Sequence, residues 1–207
     1  MYSSSIDSSS ATNNPPQGVR LLMLGPPGSG KGTQSLRLAE RYGVPAISTG
    51  DLFRAEVSKG TAFGRVIASL MAFGELVSDS DLFDLLQERL DQPDCQRGFI
   101  LDGAVRTVLQ ASVLDYLLGK RGVALDRVVD LRVDEAELIQ RILLRGQVSG
   151  RSDDTEEVVR NRLIIYNSCT LPVSAYYEAR GILSLISGTG TTEEVFHRIV
   201  TALECGR

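Results

Sequence analysis

The strongest chemical signal in this 207-residue sequence is a glycine-rich segment with one lysine, at residues 25–33. It reads GPPGSGKGT and fits the pattern G-x-x-x-x-G-K, with an apolar run before it and a helical pattern after it. Glycines allow successive backbone N–H groups to surround a phosphate, the helix N-terminus adds a positive dipole end, and Lys31 supplies a point charge. The segment therefore predicts a nucleotide phosphate site. Because Gly32 replaces the usual Ser or Thr after the lysine, the available hydroxyl is that of Thr33.

A second signal is Asp102, which directly follows the apolar run at residues 99–101. Phosphate-loop enzymes hold magnesium and its waters with an acidic residue at the carboxyl end of a buried strand. Asp-Gly also begins ordinary turns, so this residue alone is a weak signal. Together with residues 25–33, it predicts a magnesium site in which Asp102 contacts the ion through water.

The placement of arginines is the third signal, because several of the 19 arginines lie in or beside the segments outside the predicted core. Phosphoryl transfer needs cations around a highly charged migrating group. A solvated surface charge is the alternative for each arginine, and composition does not choose between the two. The candidates are Arg54, Arg106, Arg141, Arg145, Arg151 and Arg162.

The elements that position these residues alternate between apolar strands and helices, which is typical of an α/β domain with a parallel sheet. Residues 46–48 are too short a run to assign by themselves, residues 146–154 are a polar loop, and Pro172 predicts a kink in its helix. The predicted strands are 19–24, 99–101, 127–133 and 182–186. The predicted helices are 32–42, 51–59, 61–73, 80–90, 107–118, 136–144, 156–179 and 192–203.

Length and composition limit the possible classes of protein. A chain of 207 residues with 43% hydrophobic and 23% charged residues predicts one soluble domain. No run of about eighteen apolar residues is present, which excludes a membrane-spanning helix. A net charge of -4 argues against general binding to nucleic acid. The three cysteines have no metal-ligand or redox spacing and fit reduced thiols in the cytoplasm.

The first 18 residues differ in composition from the rest, since six are serine, two are proline and none is Lys or Arg. Such a segment buries too little apolar surface to offset its ordering entropy, so we expect a disordered tail. His197, the sole histidine, lies in the final predicted helix without a nearby nucleophile. We expect it at the helix surface.

Several motifs in order make the chain resemble the adenylate kinases, within the nucleoside monophosphate kinases, from residue 19 to about residue 203. GPPGSGKGTQ at 25–34 is similar to the family's phosphate loop, STGDLFR at 48–54 to the start of its monophosphate-binding lobe, and residues 150–177 to its lid and following helix. The resemblance implies a phosphate-loop three-layer fold: a five-stranded parallel sheet, helices on both faces, and small lobes at 48–77 and 144–154. The short, cysteine-free lid is similar to the form without structural zinc.

The same resemblance implies roles for individual residues. ATP would be held by Gly28, Ser29, Gly30, Lys31, Gly32, Thr33, Arg141, Arg145 and Gly190. AMP would be held by Thr49, Arg54, Glu75, Leu76, Val77, Gly103, Ala104, Val105, Arg106, Gln110, Arg151 and Arg162. The residues that act on the transferred group would be Lys31, Arg106, Arg141, Arg145, Arg151 and Arg162.

The implied activity is reversible phosphoryl transfer from Mg-ATP to AMP, giving two ADP, by a cytoplasmic monomer that binds neither nucleic acid nor membranes. A UMP/CMP kinase of the same fold is the nearest alternative, although Thr49 resembles the adenine-selective enzymes. A nucleotide-binding module without catalysis is the other alternative, because the family typically has an aromatic residue and a proline where this chain has Ala104 and Val105. We expect a trans bond before Val105 and weakened AMP binding.

Overall fold

The computed structural model describes residues 18–149 and 155–205. Within these ranges five strands form one sheet: β1 (Arg20–Leu24), β2 (Ala46–Ser48), β3 (Phe99–Asp102), β4 (Arg127–Arg132) and β5 (Leu183–Ser187). All neighbouring strands are parallel, in the order β2-β3-β1-β4-β5. The predicted strands are confirmed, and residues 46–48, unassigned from sequence, form an edge strand. The first two strands along the chain are not neighbours, because β3 lies between them.

Helices pack around this sheet and begin, in several cases, at a serine or threonine. The hydroxyls of Ser48, Thr61 and Ser78 each accept a hydrogen bond from the backbone N–H three residues later. None of the described helices combines the length and apolarity needed to cross a membrane. His197 is exposed on the last helix, as predicted. The described helices are α1 (Lys31–Tyr42), α2 (Thr49–Ser58), α3 (Ala62–Phe73), α4 (Asp79–Leu90), α5 (Val108–Lys120), α6 (Glu135–Ser149), α7 (Glu156–Ile165), α8 (Leu171–Glu178) and α9 (Thr192–Cys205).

Both faces of the sheet are buried. Alternate residues of β1 point to opposite faces, and they belong to two different buried clusters. Leu22 belongs to a buried cluster on one face that includes Leu114 of α5. Met23 belongs to a second cluster, with Leu38 of α1 and Ile199 of α9. Helices therefore cover the sheet on both sides, which confirms the predicted three-layer α/β fold.

Helix α6 is longer than the sequence predicted. It continues through Gly146 to Ser149, where a polar loop from residue 146 was expected. A glycine inside a helix costs only about 1 kcal/mol relative to alanine, so it does not by itself end the helix. Residues 150–154 of that predicted loop, and residues 1–17 of the predicted tail, lie outside the described residues.

The sequence predicted one helix over residues 156–179 with a kink at Pro172. The helix is indeed interrupted near Pro172, but by a π turn that the sequence did not predict. Helix α7 ends at Ile165, residues 166–170 form a π turn, and α8 follows. Proline has no N–H, and its ring clashes with the carbonyl group four residues earlier in an α-helix. In the wider turn, the N–H of Leu171 donates to the carbonyl oxygen of Tyr166, five residues earlier. The helical run thus continues past the proline.

Candidate active site

The predicted phosphate loop joins the end of β1 to the start of α1. Gly25, Gly28 and Gly30 have φ angles of 134°, 81° and 96°, which L-residues with side chains rarely adopt. Gly30 is the N-cap of α1 and has no side chain to bond the first N–H groups of the helix. These N–H groups are suited to an anion. The ammonium of Lys31 donates hydrogen bonds to the carbonyl oxygens of Gly25 and Pro26, both at 2.9 Å.

Two of these glycines are also required by close packing. A Cβ atom on Gly25 would lie 2.7 Å from the carbonyl oxygen of Leu131 in β4. A Cβ atom on Gly28 would lie 2.7 Å from Cγ1 of Ile142 in α6. Both distances are shorter than the contacts that real Cβ atoms make. The loop backbone can therefore lie this close to β4 and α6 only where residues 25 and 28 are glycine.

The hydroxyl of Ser29 is a polar group that the loop leaves unsatisfied within the described residues. Ser29 is 1% exposed, and its Oγ has no hydrogen-bond partner there. A buried hydroxyl without a partner costs stability unless a ligand or water bonds to it. Its place in the phosphate loop makes it a candidate donor to a phosphate oxygen.

Two cavities open beside the loop, and we call them the inner and the outer cavity. The inner cavity, about 210 Å³, lies between the carboxyl ends of the strands and helices α2, α3 and α7. Of the predicted site residues it is lined by Lys31, Thr49, Arg54, Glu75, Leu76, Val77, Asp102, Gly103, Val105, Arg106, Gln110 and Arg162. The outer cavity, about 960 Å³, is lined by Gly28, Ser29, Gly30, Lys31, Gly32, Thr33, Arg54, Asp102, Arg141 and Gly190.

The two cavities share a wall that contains Lys31, Arg54 and Asp102. Asp102 ends β3, where it is in register with Met23 of β1 and Ser48 of β2. Parallel strands bring their carboxyl ends to one edge, which is where α/β sheets bind ligands. A Cβ atom on Gly32 would lie only 3.3 Å from Oδ2 of Asp102, so the carboxylate sits against the start of α1.

Three predicted residues are not placed in either cavity. Ala104 is fully buried in the core and does not line the inner cavity, so its contact with AMP stays a prediction. The peptide bond before Val105 is trans, as predicted. Arg145 lies on α6, but its side chain is not described, and Arg151 lies outside the described residues.

The first turn of α2 fixes the floor of the inner cavity. Thr49 is 1% exposed, and its hydroxyl donates to the carbonyl oxygen of Gly103 at 3.0 Å. One turn later, the guanidinium of Arg54 donates to Oδ1 of Asp51 through Nε at 3.2 Å and Nη2 at 2.5 Å. This ion pair directs Arg54 along the wall that the two cavities share.

Arg106 and Arg162 add positive charge to the inner cavity, beside Lys31 and Arg54. Arg106 is half-buried, and burial lowers the pKa of its guanidinium below the ordinary value. The charge of Arg162 lowers this pKa further, whereas Asp102 acts in the opposite direction. An arginine keeps its charge despite such a shift, so the cavity is suited to a dianionic phosphate.

The outer cavity is bounded by α6 and by the segment after β5. The guanidinium of Arg141 donates to Glu137 and, at 3.1 Å, to the carbonyl oxygen of Gly188. Gly190 has a φ of 109°, and its Cβ atom would lie 2.6 Å from Oε2 of Glu194. That carboxylate accepts the N–H of Thr191 at 2.8 Å and caps α9. The backbone at Gly190 is therefore exposed to a ligand in the cavity.

Sequence analysis missed Tyr166 and Thr170, which both line the inner cavity. They follow Arg162 at intervals of four residues, so helical spacing places them on the same side as that arginine. Burial, helped by the charge of Asp130, raises the pKa of the Tyr166 hydroxyl to about 12. Tyr166 therefore stays neutral at physiological pH.

The fold and the two cavities define a phosphate-loop nucleotide-binding protein. A family model described as adenylate kinase matches residues 23–182, and the chain belongs to the adenylate kinase family. A protein named Adenylate kinase from Xanthomonas euvesicatoria pv. vesicatoria (strain 85-10) is 51% identical over 185 residues, covering 89% of this chain and 99% of the relative. One from Xylella fastidiosa (strain 9a5c) is 50% identical over 187 residues, covering 90% and 100%. One from Stenotrophomonas maltophilia (strain K279a) is 48% identical over 186 residues, with the same coverage.

Proposed function

We propose that the protein transfers the γ-phosphoryl group of ATP to AMP, reversibly, giving two ADP. The observation that carries this proposal is the wall shared by the two cavities, with Lys31, Arg54 and Asp102 on it. A phosphoryl group can pass between two nucleotides only where their sites meet. The names of the relatives support the same reaction.

AMP binds in the inner cavity. Arg54, Arg106 and Arg162 bind its phosphate, because their guanidinium groups can form paired hydrogen bonds to phosphate oxygens. Thr49 and the segment 75–77 line the rest of the cavity and contact the base. Gln110 belongs to the same lining and holds the backbone beside it. Arg151 would join this group from the lid.

ATP binds in the outer cavity. The backbone N–H groups of residues 28–33 and the hydroxyl of Ser29 hold its phosphates. Lys31 and Arg141 neutralise the negative charge of the phosphates. Arg145 would contribute a further positive charge from α6. The backbone at Gly190 approaches the adenine.

Magnesium fits the residues present. Asp102 and Thr33 both line the outer cavity, and Mg²⁺ keeps several waters while taking only one or two carboxylates from a protein. The described residues contain no group of three or more His, Cys, Asp or Glu that could hold a metal. When bound, the ion would neutralise charge on the phosphates. Asp102 would hold it through water.

The chemistry needs no covalent intermediate. The phosphate oxygen of AMP attacks the γ-phosphorus in line, and the arginines and Lys31 stabilise the charge that develops on the transferred group. Water has to be excluded, because hydrolysis of ATP competes with transfer. We propose that two lobes, residues 48–77 and 144–154, close over the sheet to exclude it.

A coupled assay tests the reaction. We expect turnover with ATP and AMP, and a kcat/KM at least about a hundredfold lower with CMP, UMP or GMP, because different ring edges meet the lining of the inner cavity. Preference for CMP or UMP would contradict the assignment of AMP. No turnover with any monophosphate, despite nucleotide binding, would contradict an enzyme altogether.

We also propose that the protein is a monomer in the cytoplasm. This rests on its likeness to short-lid adenylate kinases. Light scattering during size-exclusion chromatography is expected to give the mass of one chain, and a mass of two chains would contradict the proposal.

A further inference from the structure

Arg106 lies on a connection that neither the sheet nor a helix holds in place. It follows β3, which ends at Asp102, and precedes α5, which begins at Val108. In such a connection, the direction of a side chain depends on whatever fixes the two peptide groups on either side of its Cα atom. For Arg106, two side chains from other parts of the chain do so.

Gln110 fixes the first of these peptide groups. Its side-chain Oε1 accepts the backbone N–H of Arg106 at 2.7 Å. Its Nε2 donates to Oδ1 of Asp79, also at 2.7 Å, so both ends of the amide have a partner. Gln110 is 2% exposed, and a buried amide with both ends bonded has one orientation.

Thr170 fixes the second peptide group. Its hydroxyl donates to the backbone carbonyl oxygen of Arg106 at 3.0 Å, across 64 residues of sequence. Thr170 is 7% exposed and lies at the end of the π turn, on the same helical run as Arg162. The bond therefore links the connection that carries Arg106 to the helical run that carries Arg162.

We propose that Thr170 is a positioning residue for AMP binding: with Gln110, it holds the backbone of Arg106 so that the guanidinium points at the monophosphate. Thr170 acts through Arg106, and its contribution disappears when the guanidinium is absent. This inference rests on the proposed function, because it takes Arg106 to bind the phosphate of AMP.

Two substitutions separate the hydroxyl from the shape of the side chain. Thr170→Val keeps the volume and removes the donor, whereas Thr170→Ser keeps the donor. We expect Thr170→Val to raise the KM and the dissociation constant for AMP about tenfold, the loss typical of one hydrogen bond to a positioned group. The KM for ATP should stay within about twofold, and Thr170→Ser should stay within about threefold of the wild type for both nucleotides. If Thr170→Val does not fold, Thr170→Ala gives the same comparison.

Ser174→Ala is the matched control for a general loss of stability. Ser174 lies on the next turn of the same helical run, is 7% exposed, and donates to Asp130 instead of to the backbone of Arg106. We expect Ser174→Ala to lower the melting temperature while leaving the KM for AMP unchanged. If Thr170→Val lowers the melting temperature in the same way and leaves the KM for AMP unchanged, the proposal is overturned.

Calorimetric AMP binding in an Arg106→Ala background completes the test. The effect of Thr170→Val on AMP affinity should vanish there, because a positioning residue has nothing left to position. An undiminished effect overturns the proposal. If Arg106→Ala weakens AMP binding but Thr170→Val does not, the positioning role fails and the proposed function stands. If Arg106→Ala does not weaken it, the role of Arg106 in the proposed function fails as well.

Discussion

Gly28 of the phosphate loop lies directly against Ile142 of α6, so close that a Cβ atom on the glycine would be 2.7 Å from Cγ1 of the isoleucine. The carbonyl oxygen of Leu138 would be 3.0 Å from the same Cβ atom. Ile142 and Leu138 are buried, and α6 leads into the proposed lid. The loop that binds phosphate and the helix that carries the lid are therefore one packed unit.

Alanine at Gly28 and at Gly30 should separate this packing from backbone strain. Both glycines have positive φ, so each substitution costs about 1–3 kcal/mol of folding free energy. Gly30 has open space at its Cβ position, whereas Gly28 has Ile142. We expect Gly28→Ala to lose about 1–3 kcal/mol more than Gly30→Ala, as overpacking does. Urea unfolding of both variants measures the difference in the free energy of unfolding. Equal losses would show that α6 moves away from the added methyl group at no cost.

Lys31→Met should leave the fold intact and lower kcat/KM by about a thousandfold or more, a loss of at least 4 kcal/mol of transition-state stabilisation. Methionine has a similar length and no charge to place between the nucleotides. Lys120→Met, at the end of α5, is the control because it lies outside both cavities. Near wild-type turnover in Lys31→Met would show that residues 25–33 are not the phosphate site.

A bisubstrate analogue with two adenosines joined by five phosphates should slow amide hydrogen exchange in residues 48–77 and in residues 144–154. Closure of both lobes requires both sites to be filled. AMP alone, as the control ligand, should protect mainly residues 48–77. Protection by the analogue that stays within residues 25–33 would argue for a binding module with one site.

Ala104→Phe, which restores the aromatic residue typical of the family, should destabilise this chain. Ala104 has no exposed surface and belongs to the main core cluster, so a larger ring has to displace its neighbours. We expect a loss of about 1–3 kcal/mol in the free energy of unfolding. Leu109→Phe, at a position that is 65% exposed, should change it by less than about 0.5 kcal/mol. An unchanged unfolding midpoint in Ala104→Phe would show that the core has room for the ring.

Stability should fall as the pH rises from about 9 to 11, in part because of Cys95. Burial raises the pKa of its thiol from 9.0 to about 11, against the opposing charge of Arg89. The unfolded chain then loses the proton first, so the contribution is complete below pH 9 and is lost as the pH passes through 11. Urea midpoints of the wild type and Cys95→Ala should converge over this interval. Parallel curves would contradict the role of Cys95.

Much of the fold and of the phosphate loop was predictable, because both depend on local sequence. The loop at residues 25–33 is a contiguous motif, and the buried strands are contiguous apolar runs. Strand β2 was not predictable, since its three residues are stabilised by pairing with β3, which lies about 50 residues away. The extension of α6 past Gly146 depends on a small penalty that neighbouring residues outweigh.

The fine structure of the site depends on contacts between distant residues and could not be predicted. Thr170 is separated from Arg106 by 64 residues, and nothing in the sequence near either one indicates their hydrogen bond. Asp79 and Gln110 are 31 residues apart, and their contact appears only when α4 and α5 are packed together. The same applies to Ala104, whose burial makes it part of the core and removes it from the cavity wall.

Helices α6 and α7, which we call the α6–α7 arm, share only a small buried apolar cluster, and this affects how the protein responds to heat. Among the described residues, its buried cluster consists of four side chains, Leu138, Ile142, Val159 and Leu163, separate from the two larger clusters on the sheet. Elements with few buried apolar contacts open at a lower free energy than the rest of a molecule. Warming should therefore loosen the arm while the sheet is still folded. Because Ile142 rests on Gly28, the phosphate loop would loosen with it, and the temperature optimum of the enzyme would lie well below its melting temperature.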